Sequence, residues 1–267
     1  MYEMDCAGGD GIMEDQLQVT LSSNAGVIVE YQGTKLLIDG IYGTEGHPFS
    51  NLGPDRWQRL LSNTAPYDNV DYLLFTHQHP DHFTPKMVQT YLKARGIKGI
   101  CFPQAVESSQ ASLVSYLREN RIPCVLLPKQ TQRVVFHIEP QIRVCAFSTL
   151  HLDKKYRDIL HYCYLISFGD KQVLFTADVD YTTETFSAIE NVRLRAAFIN
   201  PLFFNALQRK RFFRGTLDAQ TLCIYHVPFT ENDSMRMRPV LAQNLLDWPQ
   251  QKNEAMVLCS AFERIVL

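Results

Sequence analysis

The sequence predicts an α/β (α+β) chain in which two sheets pack together with helices outside them. Three observations point there. Short apolar runs of strand length recur along most of the chain. Each half places a strand-rich stretch before a mixture of strands and helices. At 267 residues with a 46% hydrophobic fraction, the chain is large enough to bury roughly 70–75% of its extended surface. No linker-like stretch divides it, so residues 1–267 are expected to form one domain, with 1–15 frayed at the start.

Taken in order, Leu17–Ser22, Val27–Tyr31 and Lys35–Ile38 read as strands, with Gln32-Gly33-Thr34 turning the second into the third. Gly53-Pro54 introduces a helix near Asp55–Leu61, and Trp57, Leu60 and Leu61 share one face. Tyr72–Thr76 is a strand. Thr84-Pro85 reads as an N-cap and first-turn proline opening a helix to about Ala94. Gly99–Phe102 is a strand and Glu107–Glu119 a helix. The spacing then predicts strands at Cys124–Leu127, Gln132–Ile138, Arg143–Phe147, Cys163–Phe168 and Gln172–Thr176, and a short helix at Thr183–Glu190. Strands follow at Ala196–Ile199 and Thr221–Tyr225. A helix over Asn232–Leu246 must be kinked or started late by Pro239. Met256–Cys259 and Phe262–Val266 close the chain as strands.

Composition narrows the function. A net charge of −2 does not suit a dedicated nucleic-acid binder, so no nucleic-acid partner is expected. No apolar run reaches the ~18 residues of a membrane span, and the start Met1-Tyr2-Glu3-Met4-Asp5-Cys6 lacks a basic-then-apolar leader. The 7 cysteines are scattered with no Cys-x-x-Cys pair, which suits a reduced, cytoplasmic compartment.

Chemistry collects where apolar strands end. Asp39, His77, His151, Asp178 and His226 each terminate such a run, and strand ends are where a rigid scaffold presents side chains. The densest segment is Thr76-His77-Gln78-His79-Pro80-Asp81-His82. His77 and His79, two apart in extended chain, point to one side, and Pro80 keeps His79 extended. Asp81 and His82 stand where the chain changes direction and can aim at a second point. Imidazole suits zinc, iron or manganese, and a carboxylate widens the choice.

This segment resembles the His-x-His-x-Asp-His signature of the metallo-β-lactamase superfamily, and the other strand-end residues match the remaining family motifs in order, over about residues 17–226. The resemblance implies a four-layer αββα sandwich and a dinuclear site. His77, His79 and His151 would hold one metal; Asp81, His82 and His226 would hold the other; Asp178 would bridge them. Asp39 would hydrogen-bond the ligand loop and fix histidine orientation. His161 competes with His151 as third histidine, but it runs straight into a strand and is expected to be a paired strand residue. His47 and His137 are expected on the surface. Two departures stand out: Ala177 where the family usually has Gly before the bridging Asp178, and Gly40 where Pro often follows the acid at Asp39.

The implied activity is hydrolysis of a small intracellular ester, lactone or phosphodiester by a hydroxide held between two divalent ions, zinc first, with manganese or iron as alternatives. Asp81 and Asp178 would take catalytic as well as ligand roles. The stretch 22–27 with Gly33 and Leu36–Asp39 is most similar to the ascorbate-6-phosphate lactonase-like branch. Alternatives are a nuclease of the same fold acting on RNA or DNA and a non-catalytic metal-binding protein. Arg236 and Arg238 are placed to meet an anionic small-molecule substrate, and the basic run Gln208–Arg214 reads first as a solvated helix face and second as a phosphate-binding patch.

Overall fold

A computed structural model describes residues 15–43, 47, 49–104, 108–129, 133–180, 186, 189, 191–209, 217–248 and 254–267. The chain begins as an antiparallel meander of β1 (Leu17–Ser23), β2 (Gly26–Tyr31) and β3 (Thr34–Ile38). Gln32 and Gly33 turn β2 into β3 with φ of 46° and 76°, the two left-handed positions that a tight hairpin of matching twist requires. After α1 (Gly53–Leu61), the strands β4 (Tyr72–Leu74), β5 (Gly99–Pro103) and β6 (Cys124–Leu127) add in parallel, joined by α2 (Pro85–Ala94) and α3 (Ser108–Glu119). The final strand, β14 (Arg264–Val266), closes the opposite edge against β1.

The second half repeats this plan. β7 (Arg133–Glu139), β8 (Ile142–Thr149), β9 (His161–Phe168) and β10 (Lys171–Phe175) form an antiparallel meander. β11 (Leu194–Ile199), β12 (Ala219–Ile224) and β13 (Glu254–Val257) extend it in parallel, with α4 (Pro201–Arg209) and α5 (Met237–Leu246) between them in sequence. Each sheet has seven strands, in the orders β14-β1-β2-β3-β4-β5-β6 and β13-β12-β11-β10-β9-β8-β7.

Alternating side chains explain the layering. Val27 and Val29 of β2 join a cluster between the sheets that also holds Val144, Ile166, Phe175 and Phe198 of the second sheet. Ile28, Leu37 and Leu73 point the other way, onto Leu60, Val88 and Leu113 of α1, α2 and α3. On the far side, Cys163, Leu174 and Ala197 pack with Phe203, Phe204 and Leu241 of α4 and α5. The order is therefore helices, sheet, sheet, helices: the expected αββα sandwich. Sheets covered on both faces need apolar residues at consecutive positions, which is why these strands read as runs rather than alternations.

Several elements differ in detail from the sequence reading. α4 was not foreseen, although Asn200-Pro201 carries its start signal: the Asn200 carboxamide oxygen accepts from Phe203 N at 2.8 Å and Pro201 is the first helical residue. α5 starts late, at Met237, because Pro239 can occupy only the first turn; the Asp233 carboxylate accepts from the backbone N–H groups of Met237 and Arg238 at 2.7 and 2.9 Å. Thr84 does precede α2 in extended conformation, but its side chain makes no capping hydrogen bond. Most of the short helix expected at Thr183–Glu190 lies outside the described residues, as do Glu107, Gln132 and Cys6.

Candidate metal centre

Strand ends from both sheets meet at one edge of the sandwich. The Thr76–His82 segment follows β4 and is pinned to the other sheet: Tyr162 N donates to Thr76 O at 3.0 Å and the Tyr164 hydroxyl to Phe75 O at 2.6 Å. His151 leaves β8 and bridges to Val179, the residue after Asp178. His226 leaves β12, its N–H donating to Asn24 O in the β1–β2 turn at 3.1 Å. That turn approaches closely because Gly26 has no side chain; a Cβ there would lie 2.9 Å from Gly40 Cα and 3.0 Å from Asp39 O.

Asp39, Ala177 and His226 all have left-handed backbone, with φ of 48°, 46° and 60°. Non-glycine residues in that region are strained by ~1–2 kcal/mol each and persist only where the surroundings hold them. At Ala177 the holding contacts are explicit. Its N–H donates to the Tyr225 hydroxyl at 2.9 Å, and its carbonyl accepts from the Asn200 amide at 2.8 Å. The geometry also gives a reason why glycine would be the easier residue at this position.

Asp39 is fully buried and uses both oxygens. One accepts from Thr76 N at 2.8 Å; the other accepts from the Thr76 hydroxyl at 2.6 Å and lies 2.9 Å from His82 Nδ1. Since the Thr76 hydroxyl donates to Asp39, its oxygen receives the proton of His77 Nδ1 at 3.0 Å. One carboxylate thus turns the Nε2 atoms of both His77 and His82 into the site.

Two groups of ligand atoms result. His77, His79, His151 and Asp178 form one, and Asp81, His82, Asp178 and His226 the other; within each group every donor atom lies within 4.8 Å of the rest. Asp178 belongs to both, with Oδ2 at 3.8, 3.5 and 3.5 Å from the Nε2 atoms of His77, His82 and His151 and Oδ1 at 3.4 Å from His226 Nε2. His82 Nε2 and His226 Nε2 face each other at 3.0 Å. The buried atoms Asp81 Oδ2 and His151 Nε2 have no hydrogen-bond partner. Five imidazoles and two carboxylates converging in this way fit a pair of divalent cations.

Burial and mutual charge set the protonation of these groups. Burial, reinforced by neighbouring histidines, holds His77 well below the usual imidazole value and brings His79 down to about 4, so both are neutral donors at pH 7. Burial opposes the charged form of His82 as well, but Asp81, Asp178 and Asp39 outweigh it and hold this imidazole above its usual value. Asp81 is buried too, yet His82 and His226 bring it down to about 2, and the same kind of surroundings hold Asp178 well below the carboxylate range.

His151, not His161, supplies a ring nitrogen to the first group. His161 pairs with Thr149 across β8 and β9, its Nδ1 2.6 Å from the Thr149 hydroxyl. Its buried ring nevertheless backs His77, centroid to centroid 4.8 Å. His137 is exposed on β7. His47 corrects the surface expectation: both ring nitrogens are buried and the residue lines the cavity above the ligands.

That cavity is about 380 Å³ and opens onto His79, Asp81, His151, Asp178 and His226. Tyr156, in the loop after His151, stands edge-on to the rings of His79 and His151 at 4.4 and 5.3 Å, and Phe49 edge-on to His226 at 4.3 Å. Arg236 and Arg238, expected to meet substrate, do not line it; their neighbours Met235 and Met237 do. The Arg238 guanidinium instead donates to Pro228 O and Cys259 O, both at 3.1 Å. Within the basic run, residues 210–214 lie outside the described residues.

Solved structures with the same arrangement of strands and helices settle the fold. The chain has the metallo-β-lactamase fold. The metallo-β-lactamase fold protein YhfI from Bacillus subtilis is 14% identical, matching 95% of this chain and 100% of its own with a TM-score of 0.56. An isothiocyanate hydrolase from Delia radicum gut bacteria is 16% identical over 93% of this chain and 98% of its own, with a TM-score of 0.61. CmlA, a diiron β-hydroxylase from Streptomyces venezuelae, is 19% identical over 94% of this chain with a TM-score of 0.57; this chain spans about half of it, 54%. No family model matches the sequence. Among the described residues, no helix is long and apolar enough to cross a membrane.

Proposed function

We propose that this protein is a dinuclear metal-dependent hydrolase of a small ester, lactone or phosphodiester. The observation that carries the reading is Asp178: one carboxylate shared by two groups of buried donors, directly beneath an open cavity. His77, His79 and His151 would hold one ion, Asp81, His82 and His226 the second, with Asp178 between them. Zinc is the proposed metal, because imidazole nitrogens dominate the donor set. Two such ions would supply Lewis acidity and a water whose pKa is lowered to ~7.

The chain's own residues do the remaining work. Asp39 and Thr76 hold His77 and His82 in the tautomer that presents Nε2 inward. Asp81, held ionised by His82 and His226, would serve the second ion as a charged ligand and help orient the attacking water. Tyr156 and Phe49 cover the ligand rings from the cavity side and limit water around the bound substrate.

The test is elemental analysis of the purified protein combined with a panel of 4-nitrophenyl esters, lactones and bis(4-nitrophenyl) phosphate. Two zinc ions per chain and turnover lost in parallel with metal in His77→Ala are expected. Full metal content with no turnover on any member would leave a metal-binding protein and sink the hydrolase reading. Preferential cleavage of an oligonucleotide, falling steeply with salt, would favour a nuclease instead.

A further inference from the structure

The cavity walls carry more information than the ligands about what enters. We infer that the substrate is a small uncharged molecule held by an apolar group, and that Met235, Met237 and Leu202 set this preference. The inference deepens the hydrolase reading and rests on it.

The cavity volume of about 380 Å³ suits a ligand of a few to a dozen or so heavy atoms. Above the ligand floor its walls are mainly aromatic, aliphatic and thioether side chains. Leu202, at the start of α4, is 48% exposed and Met235, just before α5, is 43% exposed. Single exposed apolar residues are ordinary; two flanking one opening, with Met237 beside them, mark a surface that gains by being covered. Methionine is also the side chain that adapts most readily to ligands of different shape.

The same turn places the methionines inward and the arginines elsewhere. Arg236 takes a left-handed backbone, φ 54°, at the residue before α5. Asp233 fixes this turn: its backbone carbonyl accepts from Arg236 N at 3.2 Å and its carboxylate from Met237 N and Arg238 N. Met235 and Met237 therefore line the cavity while Arg236 does not, and the Arg238 guanidinium is already engaged by two carbonyls. Lys155 is the one lysine or arginine among the described lining residues, and its ammonium is 3.2 Å from Asp153 and 4.5 Å from the Tyr156 ring. A negative charge on the substrate, away from the reacting centre, would lose water here without gaining a free cationic partner among the described lining residues. An alkyl or aryl group would instead displace water from apolar walls.

For an ester the reaction is simple hydrolysis. Water adds to the acyl carbon, the acyl C–O bond breaks, and the released alkoxide takes the proton, giving an acid and an alcohol.

The experiment uses the full chain loaded with zinc and compares 4-nitrophenyl acetate, butyrate and hexanoate with 4-nitrophenyl hemisuccinate, which is close to the butyrate in size but carries a carboxylate. Expected is a rise in kcat/KM of up to roughly fourfold per CH₂ until the cavity fills, with the hemisuccinate at least tenfold below the butyrate. Met235→Lys should narrow that gap while zinc content stays unchanged. A flat chain-length profile, or hemisuccinate as good as butyrate, overturns the inference and leaves the hydrolase intact.

A second readout is independent of turnover. In zinc-loaded protein with labelled methionine methyls, assigned through Met235→Leu and Met237→Leu, N-phenylbutanamide should shift both resonances saturably and succinate neither. Absence of those shifts overturns the cavity assignment even if esters are cleaved. Shifts without any turnover would keep the cavity and reject the hydrolase.

Discussion

The floor and the walls of the cavity are built by different means. The floor is a set of His and Asp side chains held at strand ends, buried, cross-bonded and directed by Asp39. The walls come from loops and helix starts: Tyr156 after β8, Pro201 and Leu202 at the head of α4, Met235 and Met237 around the turn into α5. A floor of this kind determines which reaction is possible, and walls of this kind determine which molecule undergoes it. The two should therefore fail separately when mutated.

The largest effect is expected at the floor. Asp178→Ala removes the carboxylate shared by both groups; losing several kcal/mol of charge stabilisation corresponds to ~10³-fold or more in turnover. Elemental analysis should show the metal falling with it, as should exhaustive dialysis against a chelator, and zinc should restore the dialysed wild type alone. Next comes Asp39→Ala, which touches no cavity but orients a histidine of each group. A loss of ~10–100-fold in zinc affinity is expected, measured by competition with a chromogenic chelator. Thr76→Val interrupts only the path to His77 and should cost less than Asp39→Ala; an equal or larger loss would show that Asp39 does not act on His82.

These orienting contacts also show how far the sequence could be read. The histidine cluster, its carboxylates and the strands beneath them were legible because short-range spacing carries them: His77 and His79 share a side of an extended segment, and Asp178 and His226 each end an apolar run. α4 is hard to read from sequence because residues 201–204 form too short an apolar stretch to show a helical period, and only the Asn200-Pro201 pair marks its start. The methionine wall carried no signal at all, since a methionine at a helix start is as compatible with a core as with a binding cavity. Arg236 and Arg238 misled because proximity in sequence does not say which way a left-handed turn points its neighbours.

A smaller effect separates strain from chemistry. Ala177→Gly relieves left-handed backbone beside Asp178. After allowing for the extra freedom of glycine in the unfolded chain, stability should rise by ~0.5–1 kcal/mol, seen as a higher urea midpoint with metal content unchanged. A fall would mean that the contacts with Tyr225 and Asn200 already remove the strain. The smallest effect belongs to His137→Ala. This histidine is exposed on β7, away from both groups, so stability should change by under ~0.5 kcal/mol and zinc stoichiometry not at all.

Residue order pointed to the two-sheet architecture through hydrophobic period, and to a candidate set of ligands through the dense Thr76–His82 segment and the resemblance it carries, because period and donor spacing are local properties of the chain. Which atoms face each other was decided only on folding. His151 and Asp178 are far apart in sequence from His77, and their meeting depends on β4 and β10 ending at the same edge of two packed sheets. The orientation of His82, the buried ring nitrogens of His47 and the exposure of Arg236 depend further on contacts made by residues distant in sequence or on backbone angles that residue type does not dictate. The physical reason is the same throughout: a side chain's chemical identity travels with the chain, whereas its direction, its neighbours and its solvent are set by what packs around it.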